Sequence, residues 1–273
     1  VASRGLGDVY KRQDFSDAPP ARGATVARVR LPKPIFNNPD FTPEHPTPVL
    51  FVHGFQGRTS AFRRQARYLA AHGYWVWGFD YGRMRVPGLY GTGDLDELVT
   101  ELASNVDKVL TATGAAKVDI VAHSQGGTVT KLFIAAGGHE KVRRVVTMGS
   151  PFHGTDLDGR AKLISPVMNK QQAVVNRLLG ESATQHLVGS EWLLARVVPD
   201  THPDVVYTSL YSRRDHIVTP NSTSMLESVD GADVVNMEIP GAPLHPLMPR
   251  DLEIARLTRW GLERKPGETT PPF

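Results

Sequence analysis

One serine of this 273-residue chain lies in a local pattern that can activate a hydroxyl group for nucleophilic attack. The apolar run Val118–Ala122 predicts a short strand, Ser124 follows it, and the residues from Gly126 onward predict a helix. The residues two before and two after the serine, Ala122 and Gly126, are both small, as the sharp turn of a nucleophile elbow requires. The N-terminus of the following helix favours a developing negative charge. A serine that only caps the helix is the alternative, because serine is a preferred N-cap residue.

A serine nucleophile needs a base, and in folds with such an elbow the base is a histidine that follows an acid along the chain. His245 comes after the predicted strand Val234–Ile239 through a short loop, which is the expected position. Five other histidines follow Ser124, but they lie in loops or in an irregular insertion, or precede the last strand: His139, His153, His186, His202 and His216. The sequence therefore predicts His245 as the base.

The acid that orients this base should lie in the loop after the preceding strand. Val205–Tyr211 predicts that strand, and Asp215 lies in the loop that follows it. Asp204 and Asp233 instead precede or begin a strand, so we expect them at the opposite edge of the sheet. The alternative role for Asp215 is a solvated ion pair with one of the two arginines directly before it.

An oxyanion hole needs two N–H donors that point at the charge developing in the transition state. The first predicted donor is the amide of Gln125, the residue after the nucleophile. The second is the amide of Phe55 in the loop His53-Gly54-Phe55, which ends an early apolar strand. A plain turn is the alternative for this loop, and only its position upstream of the elbow favours the catalytic role.

Composition excludes several other chemistries. No cysteine is present, so the chain forms no disulfide, zinc–thiolate site or cysteine nucleophile. The 31 basic and 28 acidic residues are spread along the chain and give a net charge of +3, which disfavours nucleic-acid binding. No apolar run approaches the ~20 residues of a transmembrane helix. We expect no transmembrane segment, no metal and no cofactor.

Strands and helices alternate from Pro48 onward, which predicts a mostly parallel sheet with helices on both faces. We assign residues 48–262 to this α/β domain. The strand ending near Gly149 is followed by a long stretch without strands, and residues 155–203 predict a small helical insertion of cap or lid type.

The flanks of this domain differ from it in composition. Residues 1–13 do not begin with Met and resemble a non-native leader. Residues 14–47 form a proline-rich arm with one predicted strand at Thr25–Leu31, and residues 263–273 are predicted to be disordered.

Taken together, the motifs resemble the α/β-hydrolase lipases, and most closely the bacterial class 2 lipases with an Ala-His-Ser-x-Gly-Gly elbow. The matching blocks, in chain order, are Val52–Phe55, Ala122–Gly127, Gly149–Thr155, Ser209–Ser212 with Asp215–Val218, and Gly241–His245. The resemblance implies an α/β-hydrolase fold, secretion and ester hydrolysis without a metal-dependent mechanism. We also expect a monomer. Two departures are the longer insertion after Thr155 and the arm before Pro48, which has no counterpart in the family pattern.

These observations predict a serine ester hydrolase that acts on acyl esters of lipid type. The expected partner is a lipid or small-molecule ester, and the surface of aggregated lipid is one place where the reaction could occur. Ser124 attacks, His245 moves the proton and Asp215 orients the imidazole. A polyester hydrolase of cutinase type, a peptidase or amidase, and a catalytically silent binding module on the same fold are the alternatives. Apolar segments of the insertion either line the acyl side or form the core of small cap helices: Val174-Val175, Leu178-Leu179 and Trp192–Leu194.

Overall fold

A six-stranded sheet with every strand parallel to its neighbours forms the centre of the computed structural model, which describes residues 33–82, 88–159, 181–196 and 198–273. The spatial order is β2-β1-β3-β4-β5-β6. The strands are β1 (Val49–Val52), β2 (Val76–Gly78), β3 (Val118–His123), β4 (Val142–Met148), β5 (Val206–Tyr211) and β6 (Val234–Glu238). Parallel pairing brings the carboxyl ends of the strands to one edge, where the loops that carry functional side chains meet.

Helices cover both faces of this sheet, as the sequence predicts. They are α1 (Arg63–Ala71), α2 (Leu95–Thr113), α3 (Gln125–Ala135), α4 (Ser182–Gln185), α5 (Glu191–Ala195) and α6 (Leu252–Glu263). Alternate residues of each strand face opposite sides, so β1 contributes Leu50 and Val52 to the core under α2 and α3. It contributes Val49 and Phe51 to the core under α1 and α6. The predicted α/β-hydrolase architecture is confirmed at this level.

Local sequence explains where the helices begin and end. The Asp94 side chain accepts a hydrogen bond from the amide of Asp96 and caps α2, which ends at Gly114 in the left-handed region with φ 69°. The last helix, α6, begins only at Leu252, because residues 245–250 form a 3₁₀ segment and the side chain of Asp251 caps α6. Within the described residues, no helix is long and apolar enough to cross a membrane.

The flanking segments are packed where the structure describes them. The predicted leader and the predicted strand at 25–31 lie outside the described residues, but the arm from residue 33 packs Ile35, Phe36 and Phe41 against the core under α1 and α6. The second residue of the tail predicted to be disordered is buried, since Arg264 is 1% exposed. Its guanidinium donates to Tyr207 O at 2.7 Å and to Thr208 Oγ1 at 3.0 Å, and it pairs with Asp233. The start of the tail is therefore anchored to β5 and to the loop before β6.

The insertion after β4 is described only in part. Its segments Val174-Val175 and Leu178-Leu179 lie outside the described residues, whereas α4 and α5 are short helices that follow them. Trp192 packs against the core under α2 and α3, while Leu194 is 69% exposed. Of the two roles predicted for this segment, Trp192 therefore has the one of a core residue, whereas Leu194 faces solvent.

Candidate active site

Ser124 occupies a strained turn between β3 and α3. Its backbone has φ 54° and ψ −130°, a conformation that residues with a Cβ rarely adopt. The turn is held by a hydrogen bond from the Ser124 amide to Met148 O at 3.0 Å, and by one from the Gly127 amide to Ser124 O at 2.9 Å. A Cβ on Gly126 would lie 2.4 Å from Val52 O, so only glycine fits there. The small residue required by the elbow pattern thus lets helix α3 approach β1.

His245 and Asp215, 30 residues apart, meet at the same edge of the sheet. His245 Nδ1 lies 2.7 Å from Asp215 Oδ2, and the two residues are 6% and 3% exposed. Because a carboxylate can only accept, Nδ1 carries the proton and Nε2 is left as the acceptor nitrogen. The carboxylate is held in turn by the amides of Ile217 and Val218, which both donate to Oδ1 at 2.9 Å.

The alternatives for the acid do not meet His245. Asp233 pairs with the buried Arg264, and Asp204 lies 3.7 Å from His202 Nδ1. Both lie where β5 and β6 begin, at the opposite edge of the sheet from Ser124. Arg213 forms its ion pair with Glu238 and not with Asp215.

The remaining histidines after Ser124 have other partners. His153 contacts Asp200, and His216 lies 3.7 Å from Asp158. His186 is within 2.8 Å of Ser182 O, and burial lowers its pKa to about 4. His139 and His202 stack on each other with ring centroids 3.7 Å apart.

The two predicted oxyanion donors lie in tightly held loops. Gln125 is the first residue of α3, so its amide has no acceptor within the helix. Within the described part of the chain, the amides of Gln125 and Phe55 donate to no other residue. The loop before Phe55 is fixed by His53, whose carbonyl accepts from Tyr81 Oη at 2.6 Å and whose ring stacks on that of Tyr81. Burial lowers the pKa of His53, which favours the neutral ring. Both amides are therefore available to a negatively charged oxygen.

Two further residues contact this cluster and were not predicted as site residues. His123 Nε2 lies 3.1 Å from the backbone carbonyl oxygen of His245. Gly149, with φ 57°, is so close that a Cβ there would lie 3.0 Å from Asp215 Oδ2 and 3.1 Å from His245 Nδ1. The Gly149–Thr155 block was a recognisable motif, but nothing in its spacing indicated contact with residues 66 and 96 positions later.

One group of side chains in the described ranges has the ligand types and proximity of a metal site: His139, His202 and Asp204. It lies at the start of β4 and β5, at the opposite edge from Ser124. The two rings are almost parallel, at 13°, so their nitrogen lone pairs run side by side and do not converge on one point. No such group lies beside Ser124 within those ranges.

The chain is similar to known proteins over most of its α/β domain. The family model for lipase (class 2) matches residues 46–225, a span that includes Ser124 and Asp215 and ends before His245. Triacylglycerol lipases of Pseudarthrobacter phenanthrenivorans and Burkholderia plantarii are each 35% identical over 118 residues, which is 40% of this chain. The match covers 34% and 31% of those two proteins, so the chain spans about a third of the length of the curated relatives it matches.

Among solved structures, the mature form of a Bacillus licheniformis lipase is similar with a TM-score of 0.52 and 18% identity. The superposition covers 74% of this chain and 86% of that one. At this identity the likeness concerns the fold alone.

Proposed function

Because the chain belongs to the class 2 lipase family, we propose that it is a serine hydrolase that cleaves carboxylic esters of lipid type. The observation that supports this most is the buried 2.7 Å contact between His245 and Asp215, at the edge of the sheet where the strained elbow places Ser124. The proposal takes these three residues as nucleophile, base and orienting acid.

In the acylation step, Ser124 Oγ attacks the carbonyl carbon of the ester while His245 Nε2 accepts the hydroxyl proton. The carbonyl oxygen becomes an oxyanion that accepts hydrogen bonds from the amides of Phe55 and Gln125. The C–O bond to the alcohol then breaks, and the imidazolium of His245 gives its proton to the leaving oxygen. The products of this step are a free alcohol and an acyl ester on Ser124.

Deacylation repeats the sequence with water as nucleophile. His245 accepts a proton from the water, the oxyanion forms again, and the proton returns to Ser124 Oγ as the carboxylic acid leaves. Throughout, Asp215 keeps the proton of the neutral ring on Nδ1 and stabilises the imidazolium. Two amides hold its Oδ1, and this orients Oδ2 toward His245.

The lipid character of the substrate rests on the relatives, which are triacylglycerol lipases. No contact in the described residues favours the polyester hydrolase or the silent binding module over an ester hydrolase acting on lipids. Secretion belongs to the proposal through family resemblance, and a monomeric state is proposed with it.

The test is hydrolysis of a series of p-nitrophenyl esters from short to long acyl chains by the wild type, Ser124→Ala and Ser60→Ala. Ser60 is exposed and distant in sequence from the elbow, so its variant controls for the loss of a hydroxyl. We expect the wild type and Ser60→Ala to hydrolyse the esters and to be labelled by a fluorophosphonate, and Ser124→Ala to do neither. Equal activity and labelling in Ser124→Ala would overturn the proposal, and the chain-length profile separates a lipase from a short-chain esterase.

A further inference from the structure

The segment that carries His245 lies between a tight turn and the buried residues Met248 and Pro249. It follows β6 through a turn in which Gly241 and Ala242 both have positive φ, 73° and 44°. The residues beside it are open to solvent, since Leu244 is 40% and Leu247 is 50% exposed. The position of the His245 ring therefore depends on the packing of Met248 in the core and on the hydrogen bonds that reach the segment from other elements.

Within the part of the chain that the structure describes, three side-chain hydrogen bonds join this segment to other elements. The side chain of His245 contacts Asp215, and Gln65 Nε2 donates to Met248 O at 3.1 Å. The third joins His123 Nε2 to the backbone carbonyl of His245 itself, at 3.1 Å. It is the bond that restrains the main chain at the residue bearing the imidazole, and it comes from the residue directly before Ser124.

The chemistry of this third bond fixes the state of His123. A carbonyl oxygen can only accept, so His123 Nε2 must carry the proton. Burial lowers the pKa of His123 well below its ordinary value, and the neighbouring His245 and His53 rings add to this effect. The Nε2–H of His123 is therefore the donor of this bond, and the lowered pKa favours the neutral ring.

The two imidazoles are also in contact, with ring centroids 4.6 Å apart. The His245 ring is thus in contact with the His123 ring and, through Nδ1, with the Asp215 carboxylate. Since both His123 and Ser124 lie at the end of β3, the bond couples the position of the base directly to the position of the nucleophile.

We propose that His123 is a positioning residue whose Nε2–H holds the backbone carbonyl of His245, so that the imidazole stays aligned between Ser124 and Asp215. This inference rests on the proposed function. Loss of the donor lets the base shift, and a misplacement of about 1 Å at a reacting group can cost ~10²-fold in rate. We expect the loss in kcat, with KM little changed, because the bond acts on the base and not on substrate binding.

The test compares His123→Leu, which removes the donor, with His123→Gln, whose side-chain N–H₂ can reach the position of Nε2. We expect kcat to fall roughly 10- to 100-fold in His123→Leu and to recover most of the way in His123→Gln. The acid limb of the kcat/KM profile should stay in place in both variants, because a neutral group is being replaced. Thermal unfolding of each variant checks that it is folded.

The inference is overturned if His123→Leu keeps its activity or if His123→Gln does not recover it. If folded Leu and Gln variants are equally active or equally impaired, the donor has no positioning role. Activity of the wild type and its loss in Ser124→Ala are measured in parallel, so a failure of the proposed function is seen separately. A second measurement uses the wild type alone: ¹⁵N NMR of the imidazoles at neutral pH should show His123 neutral and protonated on Nε2. An Nδ1–H tautomer or a charged ring would overturn the inference even if His123→Leu does not fold.

Discussion

Replacement of Asp215 by asparagine is the sharpest test of how the site orients its base. The two main-chain amides that donate to Asp215 Oδ1 need an acceptor, so the oxygen of the new side chain must take that position. Its NH₂ group then faces His245 Nδ1 in place of Oδ2. Because an NH₂ group donates, Nδ1 of His245 must become the acceptor and the ring proton must move to Nε2. Nε2 can then no longer accept the proton of Ser124.

The magnitude follows from this change of tautomer. Shape, volume and the two amide contacts are preserved, so the fold should be retained and the loss should fall on turnover. A wrong tautomer in a Ser-His-Asp triad lowers kcat by ~10⁴. That factor corresponds to about 5 kcal/mol of transition-state stabilisation.

The assay is p-nitrophenyl ester hydrolysis with active-site titration, so that kcat refers to folded protein. Asp204→Asn is the matched control, because Asp204 is exposed and lies at the opposite edge of the sheet. We expect the control to keep wild-type turnover. A loss of less than tenfold in folded Asp215→Asn, or a greater loss in Asp204→Asn, would refute the reasoning.

Three further predictions concern packing and stability. Gly149→Ala should lower kcat by at least tenfold, because the new Cβ would press on Asp215 and His245. It should also lower stability, because the backbone conformation there favours glycine. Ester hydrolysis measures the first effect and thermal unfolding the second. Burial alone would raise the pKa of Asp200, but bonds from His153, Lys131 and a main-chain amide lower it to about 2, below the ordinary 3.8. The ionised Asp200 therefore stabilises the fold above about pH 4, and this stabilisation is lost as the pH falls toward 2. Urea unfolding should show that Asp200→Asn lowers the free energy of unfolding by roughly 2 kcal/mol at pH 7 and by less at pH 3. Arg264→Met should cost about 3 kcal/mol in the same assay, and the exposed Lys265→Met almost nothing.

The parts of the fold that local sequence determines were predictable. The strand before Ser124, the helix after it and the caps of α2 depend on residues within a few positions of each other. The order of acid and base along the chain was also sufficient to single out Asp215 and His245 as a pair, because parallel strands bring their carboxyl ends together. The 2.7 Å contact between them agrees with that prediction in geometry, while their catalytic roles remain to be measured.

Contacts between distant segments were not predictable in the same way. The bond from His123 to His245 joins residues 122 positions apart and involves a backbone carbonyl, which leaves no mark on residue type. The polar composition of the tail indicated disorder, yet a single arginine meets two β5 acceptors and one carboxylate. The proline-rich arm likewise contains three apolar residues whose packing on the core its composition did not indicate. In each case the stabilising partner lies on another element, and only the folded chain brings it near.

The left-handed turn at Ser124 also affects how this sequence can evolve. A residue with a Cβ held in such a conformation costs of order 1–3 kcal/mol, whereas glycine adopts it freely. Selection for heat resistance alone, without a demand for turnover, therefore favours replacement of Ser124 by glycine, which also removes the hydroxyl group. A directed-evolution campaign on this protein has to screen heat tolerance and turnover together, because the residue proposed to attack the substrate is also a weak point of its own fold.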